Sequence, residues 1–161
     1  MKRLAAALLL LALPSCGLQP LYAGGGSGAV AGTLGQVEVA AIEGRAGWLM
    51  ANALRDRLGD GEGPRYRLDV RLDDQITGLG IRRDDAVTRE RRILRARYQL
   101  VDLSNGSVVL DATAGSDAGI DVVGSEYATI AAENTALERL SGIVADEIVA
   151  RLALHARRQA Q

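Results

Sequence analysis

The stretch RYRLDVRLD, from Arg65 to Asp73, decides the fold. Apolar and polar side chains alternate along its whole length. The apolar set is Tyr66, Leu68, Val70 and Leu72. A period of two residues is typical of a β-strand that turns one face to a core and the other to water. The stretch therefore predicts a sheet that is covered on a single face.

Three further segments of the chain carry a β-strand pattern. A strand is predicted from Val37 to Ile42, another from about Thr88 to Leu103, and a third from about Ser107 to Ala114. The segment TGLGIRRDDAV, residues 77–87, is predicted to be a loop because glycine and charged residues interrupt the alternation there. Together with the first stretch, these segments supply four strands for one sheet.

The segment SNGS sets the register of the last two predicted strands. A two-residue Asn-Gly turn would place Leu100 opposite Asp111. A three-residue loop, residues 104–106 with Gly106 in the left-handed region, instead pairs Leu100 with Leu110. Because a slip of one residue moves every side chain to the other face, the apolar pattern favours the three-residue loop.

Two helices are predicted from apolar residues at helical spacing. The first runs from Arg45 to Leu58, with Met50 and Leu54 one turn apart. The second begins after Ser125, a plausible N-cap, and continues to about Arg158. The predicted order is β-α-β-β-β-α. We expect an α+β fold, a two-layer sandwich with two helices packed on one face of a four-stranded mixed β-sheet, in a single domain of residues 35–161.

The first fifteen residues read as a signal peptide. Lys2 and Arg3 form a positive start, and Leu4 to Leu13 is an apolar run. A helix of this length spans about 15 Å, half of a bilayer core of roughly 30 Å, so it is too short to cross a membrane. Residues 1–15 are therefore predicted to be removed.

The only cysteine, Cys16, follows this leader directly. The sequence LPSC resembles the bacterial lipobox, in which the cysteine takes a diacylglycerol and its new amine takes an acyl chain. Gly17 stands where aspartate would resemble an inner-membrane retention signal, which favours the outer membrane. The glycine-rich segment that follows predicts a flexible tether, so that residues 16–34 form a lipidated anchor and linker.

Composition excludes several function classes. A net charge of −1 argues against a nucleic-acid binder, and one cysteine with one histidine makes a zinc cage implausible. His155 has no catalytic partner at a recognised spacing and is expected to be a packed or surface residue. The carboxylate pairs Asp73-Asp74 and Asp84-Asp85 fit solvated turns or strand ends better than a metal or acid–base site. We expect no enzyme activity.

One electrostatic feature supports a sharper hypothesis. Six arginines are predicted to share the polar face of the two central strands. They are Arg67, Arg71, Arg89, Arg91, Arg95 and Arg97. Guanidinium groups bind phosphate through two parallel hydrogen bonds, so this face could bind a phosphorylated ligand. The alternative is a solvated face whose arginines pair with Asp69, Asp73 and Glu90.

Four segments, spread over most of the chain, resemble one family. They are SCGLQPLY (residues 15–22), DDAVTRER (84–91), ARYQLVDLSNGSVV (96–109) and the stretch from SEYATIAAENTALERL to HARR (125–158). In this order they resemble the alphaproteobacterial lipopolysaccharide-assembly lipoproteins of the LptE type.

The resemblance implies a non-enzymatic protein with two helices on a four-stranded sheet. Such lipoproteins lie inside the β-barrel of LptD, assist its assembly, plug it and bind lipopolysaccharide. It implies an outer-membrane protein that is lipid-anchored through Cys16 on the periplasmic face, with no cofactor beyond that covalent N-acyl diacylglycerol and no nucleic-acid partner. Lipopolysaccharide carries phosphates, which favours the ligand hypothesis for the arginines. The alternative is an auxiliary lipoprotein of an ABC-type lipid transport system.

Overall fold

A computed structural model describes residues 29–59, 63–81, 87–122 and 124–159. The elements in chain order are α1 (Ala29–Leu34), β1 (Val37–Val39), α2 (Gly44–Leu58), β2 (Tyr66–Ile81), β3 (Val87–Asp102), β4 (Ser107–Asp121) and α3 (Glu126–Gln159). The strands form one sheet in the order β1-β2-β3-β4. After the short helix α1, the predicted order β-α-β-β-β-α and the α+β two-layer architecture are confirmed.

The sheet is mixed because β1 pairs with β2 in parallel and the other two pairings are antiparallel. Helix α2 makes the crossover from β1 to β2, as a parallel pair requires. Arg45 of α2 contacts Asn134 of α3, and Arg57 contacts Asp146; both contacts join residues 89 positions apart. The two main helices therefore run in the same direction on the covered face of the sheet.

The core lies between this helix pair and the covered face. Helix α2 contributes Met50 and Leu54, and the central strands contribute Leu68 and Tyr98, all of them almost fully buried. The chain contains no phenylalanine, so aliphatic side chains fill most of this space. Each large aliphatic residue buried in this way contributes about 1.5–3 kcal/mol relative to exposure.

The predicted register of the β3–β4 hairpin is confirmed. Leu100 pairs with Leu110, and Gly106 has a φ angle of 72°, in the left-handed region. The loop itself is longer than predicted, because Asp102 pairs with Ser107 and leaves residues 103–106 as the turn. A bulge between Leu100 and Val101 restores the register that the apolar pattern requires.

The longer turn has a local cause in Asp102. Its backbone carbonyl accepts the Gly106 N–H at 2.8 Å, and its side chain accepts the Ser104 N–H at 2.8 Å. The Ser104 hydroxyl also donates to this carboxylate and is the main cause of the lowered pKa of Asp102, with the Ser104 N–H the next. This aspartate therefore closes the turn one residue earlier than the sequence pattern indicated.

Two strands extend beyond their predicted ends. β2 continues through the predicted loop to Ile81, and β4 continues past Ala114 to Asp121. Glycine-rich segments have low strand propensity, but β3 lies beside both of them and pairs with their backbones. Tertiary pairing therefore overrides local composition at this end of the sheet. The first strand is shorter than predicted and ends at Val39.

The tether prediction differs from the structure at its end. Residues Ala29–Leu34 form helix α1, and Leu34 is buried in the core. The other residues of the predicted leader and tether, including Cys16, lie outside the described residues. So do residues 82–86, which include Asp84 and Asp85.

Candidate functional site

The six predicted arginines lie on one surface, the open face of the sheet. This face is opposite the helices and carries the odd-numbered residues of β2 and β3. Arg71 and Arg97 are cross-strand neighbours on it, and Arg95 is the neighbour of Asp73. The alternation seen in the sequence places all six here because it continues without a break along both strands.

Four of these arginines pair with aspartates on the same face. The pairs are Arg67–Asp69 at 2.8 Å, Arg89–Asp121 at 3.1 Å, Arg91–Asp117 at 3.5 Å and Arg97–Asp111 at 3.0 Å. The first of these is a pair that the solvated-face alternative predicted. Exposed ion pairs of this kind contribute little to stability, so they leave the arginines available for exchange with another anion.

Arg71 and Arg95 differ from the other four. Within the described part of the chain, neither guanidinium has a hydrogen-bond or ion-pair partner. Asp73 is the cross-strand neighbour of Arg95, but its carboxylate accepts hydrogen bonds from Gln75 instead, the shorter at 3.0 Å. Two arginines on this face therefore have no direct protein partner among the described residues.

Asp111, the carboxylate partner of Arg97, has a lowered pKa. Arg97 Nη2 donates to Asp111 Oδ2 at 3.0 Å, and Gln99 Nε2 donates to the same oxygen at 2.8 Å. Both hydrogen bonds favour the charged carboxylate, so the pKa of Asp111 lies below its usual value, with the Arg97 contact the larger cause.

A groove of about 690 Å³ runs across this face. Four of the six predicted arginines line it, and Arg67 and Arg89 do not. The lining arginines are Arg71, Arg91, Arg95 and Arg97. The carboxylates that line it are Asp73, Asp117 and Glu147, so the lining carries one more positive than negative charge. The remaining lining includes Ile93, which adds an apolar surface between the charged groups.

Gly115 makes room for one of the arginines in the groove. A Cβ atom at this position would lie 3.2 Å from Cγ of Arg95 and 3.2 Å from the carbonyl oxygen of Leu94. The Arg95 side chain thus lies across the backbone of β4. A larger residue at position 115 would push this guanidinium away from its present place.

A second recess of about 530 Å³ adjoins the groove. Arg71 and Arg97 line both spaces. The other side of the recess is formed by Ala40 and Ala41, where the chain leaves β1 and turns toward α2. Arg71 therefore lies between the groove and the outer border of the sheet.

Sequence reasoning missed a polar cluster on the covered face. Arg92 follows Arg89 and Arg91 directly in the sequence, but it is 8% exposed and faces the helices. Its Nε and Nη2 atoms donate to the two carboxylate oxygens of Asp74 at 2.8 and 2.6 Å, and its Nη1 donates to the Glu133 carbonyl at 2.8 Å. Asp74 therefore lies within a strand and not in a turn. Arg92 shares the phase of Leu94 and Ala96, which was the signal available in the sequence.

Glu90 lies beside this cluster, two residues before Arg92 and on the same face of β3. Its Oε2 atom is buried without a hydrogen-bond partner among the described residues. Burial raises the pKa of Glu90, and the nearby Glu133 carboxylate raises it further. The solvated-face alternative has Glu90 pair with a surface arginine, but Glu90 lies on the opposite face from those six residues.

The described residues offer no metal site. Among them no three histidine, cysteine, aspartate or glutamate side chains converge as metal ligands would. His155 contacts only Gln159, with 3.0 Å between Nε2 atoms, in the part of the chain that the structure covers. No helix within the described ranges has the length and apolar character to cross a membrane.

Known proteins share both the sequence pattern and the fold. The LptE family model, described as lipopolysaccharide-assembly, matches residues 34–152, from the end of α1 into α3. A crystal structure of a Caulobacter crescentus protein classed as a lipoprotein is 27% identical, with a TM-score of 0.70 over 82% of this chain and 98% of that chain. None of the curated proteins matches the chain.

Two further solved structures show the same fold at lower identity. A minor lipoprotein from Acinetobacter baumannii is 12% identical, with a TM-score of 0.61 over 74% of this chain and 91% of that chain. Rare lipoprotein B from Shewanella oneidensis is 11% identical, with a TM-score of 0.60 over 78% of this chain and 99% of that chain.

Proposed function

The chain belongs to the LptE family of lipopolysaccharide-assembly proteins, and on this premise we propose that it is the lipid-anchored partner of an LptD-type outer-membrane β-barrel. The family is non-enzymatic, so the chain acts by binding. In this role it plugs the barrel, assists its assembly and binds lipopolysaccharide at the last step of export. The family match across residues 34–152 carries this proposal.

Cys16 is the proposed anchor. It is the only cysteine, it follows the lipobox-like residues of the leader, and structural relatives are lipoproteins. Residues 1–15 are removed in this proposal, and residues 17–28 link the acylated cysteine to α1. One acyl chain anchors a protein only marginally, whereas two or three hold it stably on the membrane. The outer-membrane location on the periplasmic face rests on the same argument.

The groove on the open face is the proposed lipopolysaccharide site. The guanidiniums of Arg71 and Arg95, which have no partner in the described part of the chain, support it, because each can form two parallel hydrogen bonds to a phosphate. Arg91 and Arg97 line the same groove and can exchange their aspartate partners for ligand phosphate. Ile93 offers an apolar surface to the lipid part. Arg67 and Arg89 lie outside the groove and are not assigned a major contact.

Purification of the lipidated protein from its outer membrane tests the partner. We expect an LptD-type barrel to co-purify with it, and depletion of the protein to reduce barrel assembly and lipopolysaccharide display. Normal barrel assembly in a deletion strain would contradict the proposal. Recovery of an inner-membrane ABC complex would instead support the auxiliary lipid-transport function.

A binding measurement with matched arginine pairs tests the ligand site. The double variant Arg71→Ala with Arg95→Ala should weaken lipopolysaccharide binding about tenfold, because two phosphate contacts are lost. The control, Arg67→Ala with Arg89→Ala, removes the same charge outside the groove. It should retain most of the affinity. Equal losses in both double variants would show that only net charge matters, and that the open face is a solvated surface.

A further inference from the structure

The outer edge of β2 is open over most of its length. Among the described residues, only Val37–Val39 of β1 pairs with it, opposite Tyr66–Leu68. The Tyr66 N–H donates to the Gln36 carbonyl at 3.1 Å, and the Leu68 carbonyl accepts the Ala40 N–H at 3.1 Å. Even-numbered residues of β2 therefore direct their backbone groups away from β3. Beyond Leu68, no backbone group of the described residues pairs with this edge.

This open edge is long and has little protection against pairing with another strand. From Val70 to Ile81 it extends for about 40 Å. Sheet edges are commonly protected by inward-pointing charges, since unpaired strand backbone attracts another strand. On the covered face of this edge the charged residue is Asp74, but Arg92 neutralises its carboxylate. Ile76, the next residue on the same face, is 43% exposed.

The opposite edge of the sheet, formed by β4, is contacted by a helix side chain. The outward Gly115 N–H of β4 donates to Glu147 Oε2 at 3.2 Å, so helix α3 reaches over that edge. The backbone N–H and C=O groups of the odd-numbered residues of β4 therefore point away from β3, as do those of the even-numbered residues of β2. The edge of β2 has no such contact from a helix side chain within the described residues.

Charge across the open face indicates what would fit beside β2. Asp111 of β4, Arg97 of β3 and Arg71 of β2 form a row in which only Arg71 lacks a partner within the ranges that the structure describes. The recess of about 530 Å³ lies beside Arg71, where the chain leaves β1 at Ala40. An acidic side chain on an added strand would enter this recess and complete the row. On the other face, aliphatic side chains would cover Ile76.

We propose that the outer edge of β2 accepts an extended segment of the barrel partner as an additional strand. Its side chains alternate between acidic residues beside Arg71 and aliphatic residues beside Leu72 and Ile76. This inference rests on the proposed function for the identity of the partner. Backbone hydrogen bonds supply the affinity, and the acid beside Arg71 sets the register.

A proline placed on the edge tests the proposal in the full lipidated chain. Ile76→Pro removes an N–H that points away from β3 and leaves the β2–β3 ladder intact. Gly119→Pro is the matched control, because its N–H points outward on the opposite edge and open space surrounds it. Ile76→Ala removes the side chain but keeps the N–H. Thermal unfolding of each purified variant verifies that the domain is folded.

We expect Ile76→Pro to reduce co-purified barrel about tenfold, and Ile76→Ala and Gly119→Pro to change it less than about threefold. Unchanged recovery with Ile76→Pro, or equal loss with both prolines, would overturn the edge proposal while the proposed function stands. If the unaltered chain recovers no barrel, the proposed function fails and the edge proposal fails with it.

A photoreactive phenylalanine analogue in place of Gln75 identifies the occupant directly. Gln75 is exposed on the open face of β2. A cross-link to the barrel is expected. A cross-link to a second copy of this chain, or to its own residues 17–28, would assign the edge to another occupant and overturn the proposal.

Discussion

Arg71 and Arg97 are direct cross-strand neighbours on the open face, and of the two only Arg97 has a carboxylate partner among the residues that the structure describes. Like charges in such positions repel one another, so the Asp111 carboxylate on the far side of Arg97 reduces the cost of holding them together. Arg71 keeps its full charge at the border of the groove. The open face therefore carries both paired and unpaired arginines, and Arg71 and Arg95, which have no partner among the described residues, both line the groove.

The first prediction concerns Asp111. The substitution Asp111→Asn should increase lipopolysaccharide affinity about two- to fivefold, since Arg97 becomes available to phosphate. The same change should lower the melting temperature slightly, because Arg71 and Arg97 then repel without compensation. Equilibrium binding at two salt concentrations and thermal unfolding measure both effects.

Asp121→Asn is the control for this prediction. It releases Arg89, which lies outside the groove, and should leave the affinity unchanged. If both substitutions increase the affinity equally, binding responds to net charge and the groove has no special part in it.

The second prediction concerns the partly buried pair of Arg92 and Asp74. Arg92→Met should lower the free energy of unfolding by about 1–3 kcal/mol, because it leaves the Asp74 charge, which water reaches only in part, without its bidentate partner. Combining it with Asp74→Leu should recover most of this loss, since an apolar pair does not need desolvated charges. Denaturant unfolding measures both. Arg91→Met, which breaks an exposed pair, is the control, and an equal loss there would refute the prediction.

The third prediction concerns the pH dependence caused by Glu90. Because the folded state raises its pKa, the folded chain holds this proton more tightly than the unfolded chain does. Stability should therefore decrease as pH rises from the ordinary range of a glutamate through the raised value. Glu90→Gln removes this effect and should raise the melting temperature by about 2–4 °C at pH 8.

The gain from Glu90→Gln should diminish as the pH is lowered through the ordinary titration range of a glutamate, below which both states hold the proton. Melting curves of the two proteins across this range measure the difference. A gain that is constant with pH would show that packing, and not the titration of Glu90 beside Glu133, explains it.

The fourth prediction concerns Gly106 in the β3–β4 turn. Nothing lies within 4 Å of a Cβ atom placed there, so a substitution meets only the strain of its φ angle of 72°. Gly106→Ala should lower the free energy of unfolding by about 1 kcal/mol. Gly106→Asn should cost less, because asparagine tolerates the left-handed region. Equal losses for the two variants would contradict a purely conformational cause.

Several features followed from the sequence alone because they depend on local periodicity. The alternation from Arg65 to Asp73 fixed which side chains face the core, and the apolar pattern around SNGS selected the pairing of Leu100 with Leu110. The same alternation placed the six arginines on one face. Side-chain direction along a strand is a property of neighbouring residues, so no knowledge of the rest of the chain was needed.

Other features depended on residues distant in the chain. β2 continues through TGLGI because β3 supplies partners for its backbone, and Arg92 is buried because Asp74 and Glu133 are brought to it. Arg67 meets Asp69 on its own strand, whereas strand order decided that Arg89, Arg91 and Arg97 meet aspartates of β4. It also left the edge of β2 open, because the short strand β1 ends at Val39. Within the strands that it predicted, the sequence by itself determined the direction of the side chains; tertiary structure decided the partners that lie on other elements, because those pairs depend on contacts between segments far apart in the chain.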